Sequence, residues 1–307
     1  MTANLPANFD LNNLVAARTR LYVRIKGSPV EYQRANIDGS VQEYLISVLR
    51  SAIDADTLNA PDRLAPWDYS NDAHTDDVLL YPWREEGLAD LDLLLNAQRL
   101  DRVSDLGNLL DDIDAYFVLI EDRGGRKLIA VKEARYLKAV SKRPLAWLSD
   151  NELTIIDRPV FQLGDDFDFV YDADNAFVLR KKAFERLVDL QEHVKKSNTV
   201  NVAAFNGQVS CVSWTNLEAF VQSRPRAASR LLSIVRRNEL GRLSSSRVRD
   251  MLTKGKVNFN EVSPGVFEPA SGHEMSFLDA LDHRIFDVQL TEDPATPYMA
   301  SNRSILK

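Results

Sequence analysis

NELTIIDRPVFQLGDDFDFVYDADNAFVLRKKAFERLVDL, residues 151–190, changes its hydrophobic period partway along, and this change decides the fold class. An aromatic run at 167–171 alternates with other side chains, and a polar turn at 172–175 separates it from a second alternating run at 176–180. Alternation on both sides of a turn predicts an antiparallel hairpin. Apolar residues then recur at helical spacing, at Ala183, Leu187, Leu190 and Val194. A hairpin followed by an amphipathic helix must share one core with it, so an α+β fold is predicted.

The residues before this stretch predict more hairpins. Pairs of alternating runs joined by glycine-containing turns occur at 19–37 and at 115–134, and an apolar helical face follows the first pair at 40–53. We therefore expect antiparallel hairpins with packed helices. Two regions are predicted: 1–140, an N-terminal α/β region with an acidic helical insert, and 141–307, the central hairpin and helix with a basic C-terminal part.

The composition is typical of a globular protein that works in a reducing compartment. The chain has 307 residues, a formal net charge of -7 and a single cysteine, Cys211, so no disulfide framework is expected. The four histidines lack zinc-ligand spacing, and no phosphate-binding glycine loop occurs, so neither a metal nor another cofactor is predicted. No run of 18 apolar residues exists, and the first residues lack the order of a signal peptide. A cytoplasmic location is the resulting expectation.

The charge is unevenly distributed along the chain. Residues 1–120 contain 10 Lys or Arg and 20 Asp or Glu, whereas residues 180–256 contain 16 and 6. A segment with a net charge of +10 in a chain with a net charge of -7 indicates an anionic partner for that segment.

The basic segment has the element order of a winged-helix module. Helical patterns at about 215–222, 223–237 and 244–255 are followed by two short strands joined by Ser263-Pro264-Gly265. In that geometry the third helix enters a major groove while arginines of the second contact phosphates. The segment thus predicts binding of double-stranded DNA without catalysis and with little sequence preference. The expected contact residues are Arg226, Arg230, Arg237, Arg247, Arg249 and Lys254.

Two other functions are consistent with the same sequence. Asp111, Asp112 and Asp114 precede a predicted strand and could bind a metal ion in a nuclease, although Lys132-Glu133 on the next strand has the reverse of the usual order. The arginines could instead bind an acidic protein, as in an adaptor, or neutralise the acidic half of this chain. Both alternatives remain open from the sequence.

Two stretches carry a family resemblance. The first, at 167–190, has a short FD-containing strand, a turn, a second strand and a helix that opens with Phe184-Glu185. The second, FLDALDHRIFDVQLTEDPATPYMASNRSILK at 277–307, has a Leu-rich helix followed by Leu281-Asp282, Leu290-Thr291, Tyr298, Ala300 and Arg303. Together they resemble the KwaB family, the second component of the bacterial Kiwa anti-phage defence system. Pro294 to Pro297 depart from the glycine turn that is more frequent in the family.

The resemblance implies a function that the spacing of residues does not. It implies a cytoplasmic effector that self-associates, partners a membrane-embedded sensor subunit and is recruited by it to the inner membrane. It also implies binding of phage DNA that impairs replication and expression. No catalytic residue is carried over by the resemblance.

Overall fold

The computed structural model describes residues 18–27, 29–54, 64–67, 69, 78–96, 100, 109, 111–134, 146–149, 152–155, 161–236, 241, 243–288 and 296–299. The chain divides into two compact units. Unit 1 comprises Met1–Trp67 and Thr75–Val188, and unit 2 comprises Asp68–His74 and Asp189–Lys307. Within the described residues, no helix combines the length and the apolar character that crossing a bilayer requires.

Unit 1 is built on an eight-stranded sheet with the strand order β2-β1-β5-β6-β9-β10-β4-β3. Neighbouring strands are antiparallel except β3 and β4, which are parallel, and β7 and β8 form a separate hairpin. The strands are β1 (Arg20–Ile25), β2 (Glu31–Ala35), β3 (Leu64–Pro66), β4 (Val78–Tyr81), β5 (Ile113–Glu121), β6 (Lys127–Glu133), β7 (Ala146–Ser149), β8 (Glu152–Ile155), β9 (Phe169–Tyr171) and β10 (Ala176–Val178).

Successive residues of a strand point to opposite faces of the sheet, and in these strands both sets include apolar side chains. Helices therefore cover the sheet on both faces. The helices of unit 1 are α1 (Gly39–Asp54), α2 (Ala89–Asn96) and α3 (Lys181–Leu187). On one face, Leu45 and Leu49 of α1 belong to the same buried cluster as Val23 of β1 and Val118 of β5. On the other face, Phe184 of α3 packs against Phe169 of β9 and Tyr81 of β4.

Unit 2 is mainly helical and has two small hairpins. Its elements are α4 (Leu190–Gln208), α5 (Leu217–Ser223), α6 (Pro225–Arg236), α7 (Ser245–Lys254), β11 (Phe259–Ser263), β12 (Val266–Pro269), α8 (Glu274–Leu281), β13 (Ile285–Val288) and β14 (Thr296–Met299). Helix α6 packs against α4, α5 and α8, and it is buried over most of its circumference. The predicted order of three helices, here α5 to α7, followed by the β11–β12 hairpin is confirmed.

The predicted α+β class is confirmed, and the central stretch forms the expected hairpin. Strands β9 and β10 are antiparallel, and the Asp172 carboxylate closes their turn by accepting the backbone N–H of Asn175 at 2.8 Å. The structure divides the single predicted helix into α3 and α4, because Asp189 adopts a left-handed conformation with φ of 48°. A one-residue break of this kind leaves the hydrophobic period nearly unchanged.

The same stretch sets the position of the boundary between the units. The two regions predicted from the sequence meet between residues 140 and 141. In the structure β9 pairs with β6 and β10 pairs with β4, so the central hairpin belongs to the sheet of unit 1. The chain leaves unit 1 only after α3, at Val188–Asp189.

Candidate nucleic-acid interface

Helix α7 presents most of its charged side chains to solvent. The Ser244 hydroxyl caps its first turn by accepting the backbone N–H of Arg247 at 3.4 Å. Val248 and Leu252 are buried, whereas the charged residues between and beside them are exposed. This amphipathic division follows from the helical spacing of the two apolar residues, and it leaves the basic face outside.

The three basic residues predicted on α7 lie in different local environments. Arg247 is exposed, and its side chain makes no ion pair with the part of the chain that the structure describes. Lys254 is exposed and pairs with Asp250 one turn earlier, at 2.9 Å. Such an exposed pair contributes only about 0.3–0.5 kcal/mol, so Asp250 holds the ammonium group weakly.

Arg249 is held by the neighbouring hairpin. Its Nη2 lies 2.5 Å from the Glu261 carboxylate of β11, and its guanidinium lies over the Phe267 ring of β12 at 5.0 Å. The exposed fraction of its side chain is still 52%. The Arg249 charge is therefore matched within the protein.

The structure corrects the expectation for Arg230 on α6. Its side chain is 2% exposed, and its Nε lies 2.7 Å from the Asp279 carboxylate of α8. Nη1 of Arg230 also lies 3.4 Å from Asp282, just beyond α8. Arg230 faces these two carboxylates instead of solvent, so it is not presented to a phosphate.

Asp282 connects the other members of this buried network. It accepts a hydrogen bond from the Ser233 hydroxyl at 3.2 Å and one from Arg284 Nε at 2.8 Å. Burial raises the pKa of the Asp279 carboxyl, while the charges of Arg230, Arg226 and Arg284 act in the opposite direction. The signal available in the sequence was the pair of aspartates at the end of an apolar run, because a buried carboxylate requires a cation or several donors.

The other two arginines predicted on the second helix have different positions. Arg226 is exposed in the first turn of α6, and its charge acts on Asp279. Arg237 lies outside the described residues. The predicted row of three solvent-facing guanidiniums is thus reduced, in the described part of α6, to Arg226.

The aspartates considered as a metal site do not converge on one point. Arg24 lies 3.1 Å from the Asp114 carboxylate and also donates to the backbone carbonyl of Leu187 at the end of α3. Asp114 thereby orients the arginine that caps α3. Among the described residues, no group of three or more His, Cys, Asp or Glu side chains is arranged to hold a metal ion.

Lys132 of β6 contacts carboxylates other than the three aspartates considered in the sequence. Lys132 contacts Asp166 and lies 3.3 Å from Asp168, and Arg180 pairs with the same two residues. The Asp168 carboxylate also accepts the backbone N–H of Glu133 at 2.6 Å. Two cations balance two carboxylates here. The ion pairs therefore connect the residues just before β9 to β6.

Comparison with known protein families adds one finding to this geometry. A family model described as Kiwa protein KwaB-like matches residues 110–289. The matched segment includes strands β5 and β6, the central hairpin and all of α4 to α8. A comparison with curated proteins and one with solved structures each found no match.

Proposed function

Since that match spans more than half of its residues, the chain belongs to the Kiwa protein KwaB-like family of anti-phage defence proteins, and we propose that it acts in this defence by binding DNA. The observation that carries the proposal is the outer face of α7, where Arg247 and Lys254 are exposed on a helix that packs against the β11–β12 hairpin. A capped helix with cations on its outer face and a hairpin at its side is suited to the backbone of a duplex.

The proposed contacts are to phosphates. Lysine and arginine side chains provide affinity without reading the bases, so binding is largely independent of sequence. Arg247 and Lys254 are the principal contacts in this proposal, and Arg226 is a further exposed cation of unit 2. Arg230 is excluded because its guanidinium is buried.

The remaining parts of the proposal concern assembly. The protein self-associates and works with a membrane-embedded sensor subunit of the same defence system, which recruits it to the inner membrane. Bound DNA is then obstructed without being cleaved, which impairs phage replication and expression. Membership of the Kiwa family supports a role within a defence complex.

Replacing Arg247 and Lys254 together with methionine is expected to make the salt dependence of DNA binding shallower. Each phosphate contact contributes about 0.9 to the slope of log K against log salt concentration, so losing two should lower its magnitude by about 1.8. The measurement is binding of the full chain to a labelled duplex across a salt series in EDTA, with wild type beside the double variant.

The matched control replaces Lys195 and Lys196 with methionine. Both lysines are exposed on α4 of the same unit, so this variant loses the same charge away from α7. Its slope should equal that of wild type. Wild-type protein that binds no duplex would overturn the proposed function, and equal slopes for wild type and the α7 variant would move the contact to another surface.

A further inference from the structure

Glu261 connects the β11–β12 hairpin to α7 by two polar contacts. Its Oε1 accepts the backbone N–H of Gly265 at 2.8 Å, which closes the hairpin turn. Its Oε2 lies 2.5 Å from Nη2 of Arg249, in the second turn of α7. One carboxylate therefore holds the turn of the hairpin and the helix at the same time.

The hairpin turn also packs tightly on the first residue of α7. Gly265 has φ of 78°, and a Cβ atom added to it would lie 2.8 Å from the Ser245 hydroxyl oxygen. At the other end of the helix, a Cβ on Gly255 would lie 3.1 Å from Cδ1 of Ile285 on β13. Helix α7 is thus held at both ends by close approaches that only glycine permits without displacement.

Arg249 and Arg247 lie in different electrostatic environments. The N–H of Gly265 and the Arg249 side chain both lower the pKa of Glu261, so the carboxylate is ionised at neutral pH. Arg249 faces that charge, with its planar group over Phe267. Arg247 lies two residues earlier, on the exposed surface next to the capped start of the helix.

We propose that Glu261 is a positioning residue of the DNA interface: it holds Arg249 and the hairpin turn so that α7 presents Arg247 to phosphate. This rests on the proposed function and assigns its contacts more narrowly. Arg249 makes its contacts within the protein and keeps α7 in place, and Arg247 contacts the DNA.

The direction in which loss of the Glu261 charge changes DNA affinity separates this role from simple repulsion. An acidic side chain next to a DNA-binding surface ordinarily repels phosphate, so removing its charge should strengthen binding. A positioning role has the opposite effect, because α7 and the hairpin turn lose a shared anchor. The two roles cannot give the same result.

Glu261→Ala is expected to weaken duplex binding about fivefold. This is the effect of losing one hydrogen bond that holds the interface in its binding conformation. Its salt slope should stay at the wild-type value, because no phosphate contact is removed. Arg249→Met should behave in the same way, whereas Arg247→Met should lower the magnitude of the slope by about 0.9. The full chain is titrated with a labelled duplex at several salt concentrations in EDTA.

Glu268→Ala on β12 is the matched control. It removes an equal charge from the same hairpin and is expected to leave affinity unchanged or raise it slightly. Stronger binding by Glu261→Ala, or a shallower slope for Arg249→Met, would overturn the inference while the proposed function stood. Absence of binding by wild type would instead reject the proposed function itself.

The contact between Glu261 and the Gly265 amide allows a second measurement that needs no DNA. Hydrogen exchange of the Gly265 amide should be faster in Glu261→Ala than in wild type, because that amide loses its acceptor. Glu261→Gln retains an oxygen for Gly265 and should preserve more of the protection. Unchanged exchange in Glu261→Ala would overturn the positioning role whatever the DNA result.

Discussion

Arg230→Met is expected to lower the stability of unit 2 by about 3–5 kcal/mol, the usual cost of removing one partner of a buried ion pair. The Asp279 side chain is 4% exposed and would lose the guanidinium 2.7 Å away, while methionine provides no donor to replace it. Hydrogen exchange of the α6 and α8 amides measures this change locally, which matters because a chain with two units need not unfold in one step.

Lys196→Met is the control for this prediction. It removes a cation from α4 of the same unit, where the side chain is exposed. Substitutions at such surface positions usually change stability by less than about 0.5 kcal/mol. Protection of α6 in Arg230→Met equal to that in Lys196→Met would contradict the structural role assigned to the buried network.

Phe184→Ala is expected to destabilise unit 1 by about 3–5 kcal/mol, the range observed when a buried phenylalanine is truncated. Phe184 is fully buried, and its ring centroid lies 5.0 Å from that of Phe169 and 5.2 Å from that of Tyr81. The Trp67 ring lies 5.3 Å away. Truncation leaves a cavity among three rings that connect α3 to the sheet. Chemical denaturation with exchange of the β9 and β10 amides measures the loss.

Phe184→Leu retains most of the volume and should cost clearly less than Phe184→Ala. Leu93→Ala on α2 of the same unit, where the native side chain is 57% exposed, should have almost no effect. A cost for Phe184→Ala no larger than that for Leu93→Ala would mean that α3 is not held by this aromatic contact.

Local patterns predicted the elements of the fold well. The alternation around the 172–175 turn became β9 and β10, and the runs at 115–134 became β5 and β6. Alternation and helical spacing follow from backbone geometry within a few residues, so they can be read without knowing the neighbours. The order of strands in the sheet was not predicted, because β10 pairs with β4 across about 100 residues of chain.

The local features of the candidate interface were predicted, but its long-range contacts were not. The helical pattern at 244–255 predicted α7, in which Ser244 caps the first turn and buried Val248 and Leu252 leave the basic face outside. The partner of Arg249 was not predicted, since Glu261 lies on the following hairpin. Glu261 became recognisable only when the turn at Gly265 brought its carboxylate back to the helix.

The sequence by itself determined the paired strands at 19–37, 115–134 and 167–180 and the helices α1 and α5 to α7, and it concentrated the positive charge in residues 180–256. Tertiary structure alone decided which of those charges face solvent. Arg230 and Arg247 are the same residue type on neighbouring predicted helices, yet one is 2% exposed and the other lies on the surface. The reason is physical: a guanidinium leaves water only where carboxylates replace its solvation. For Arg230 one of those carboxylates, Asp282, comes from 52 residues further along the chain.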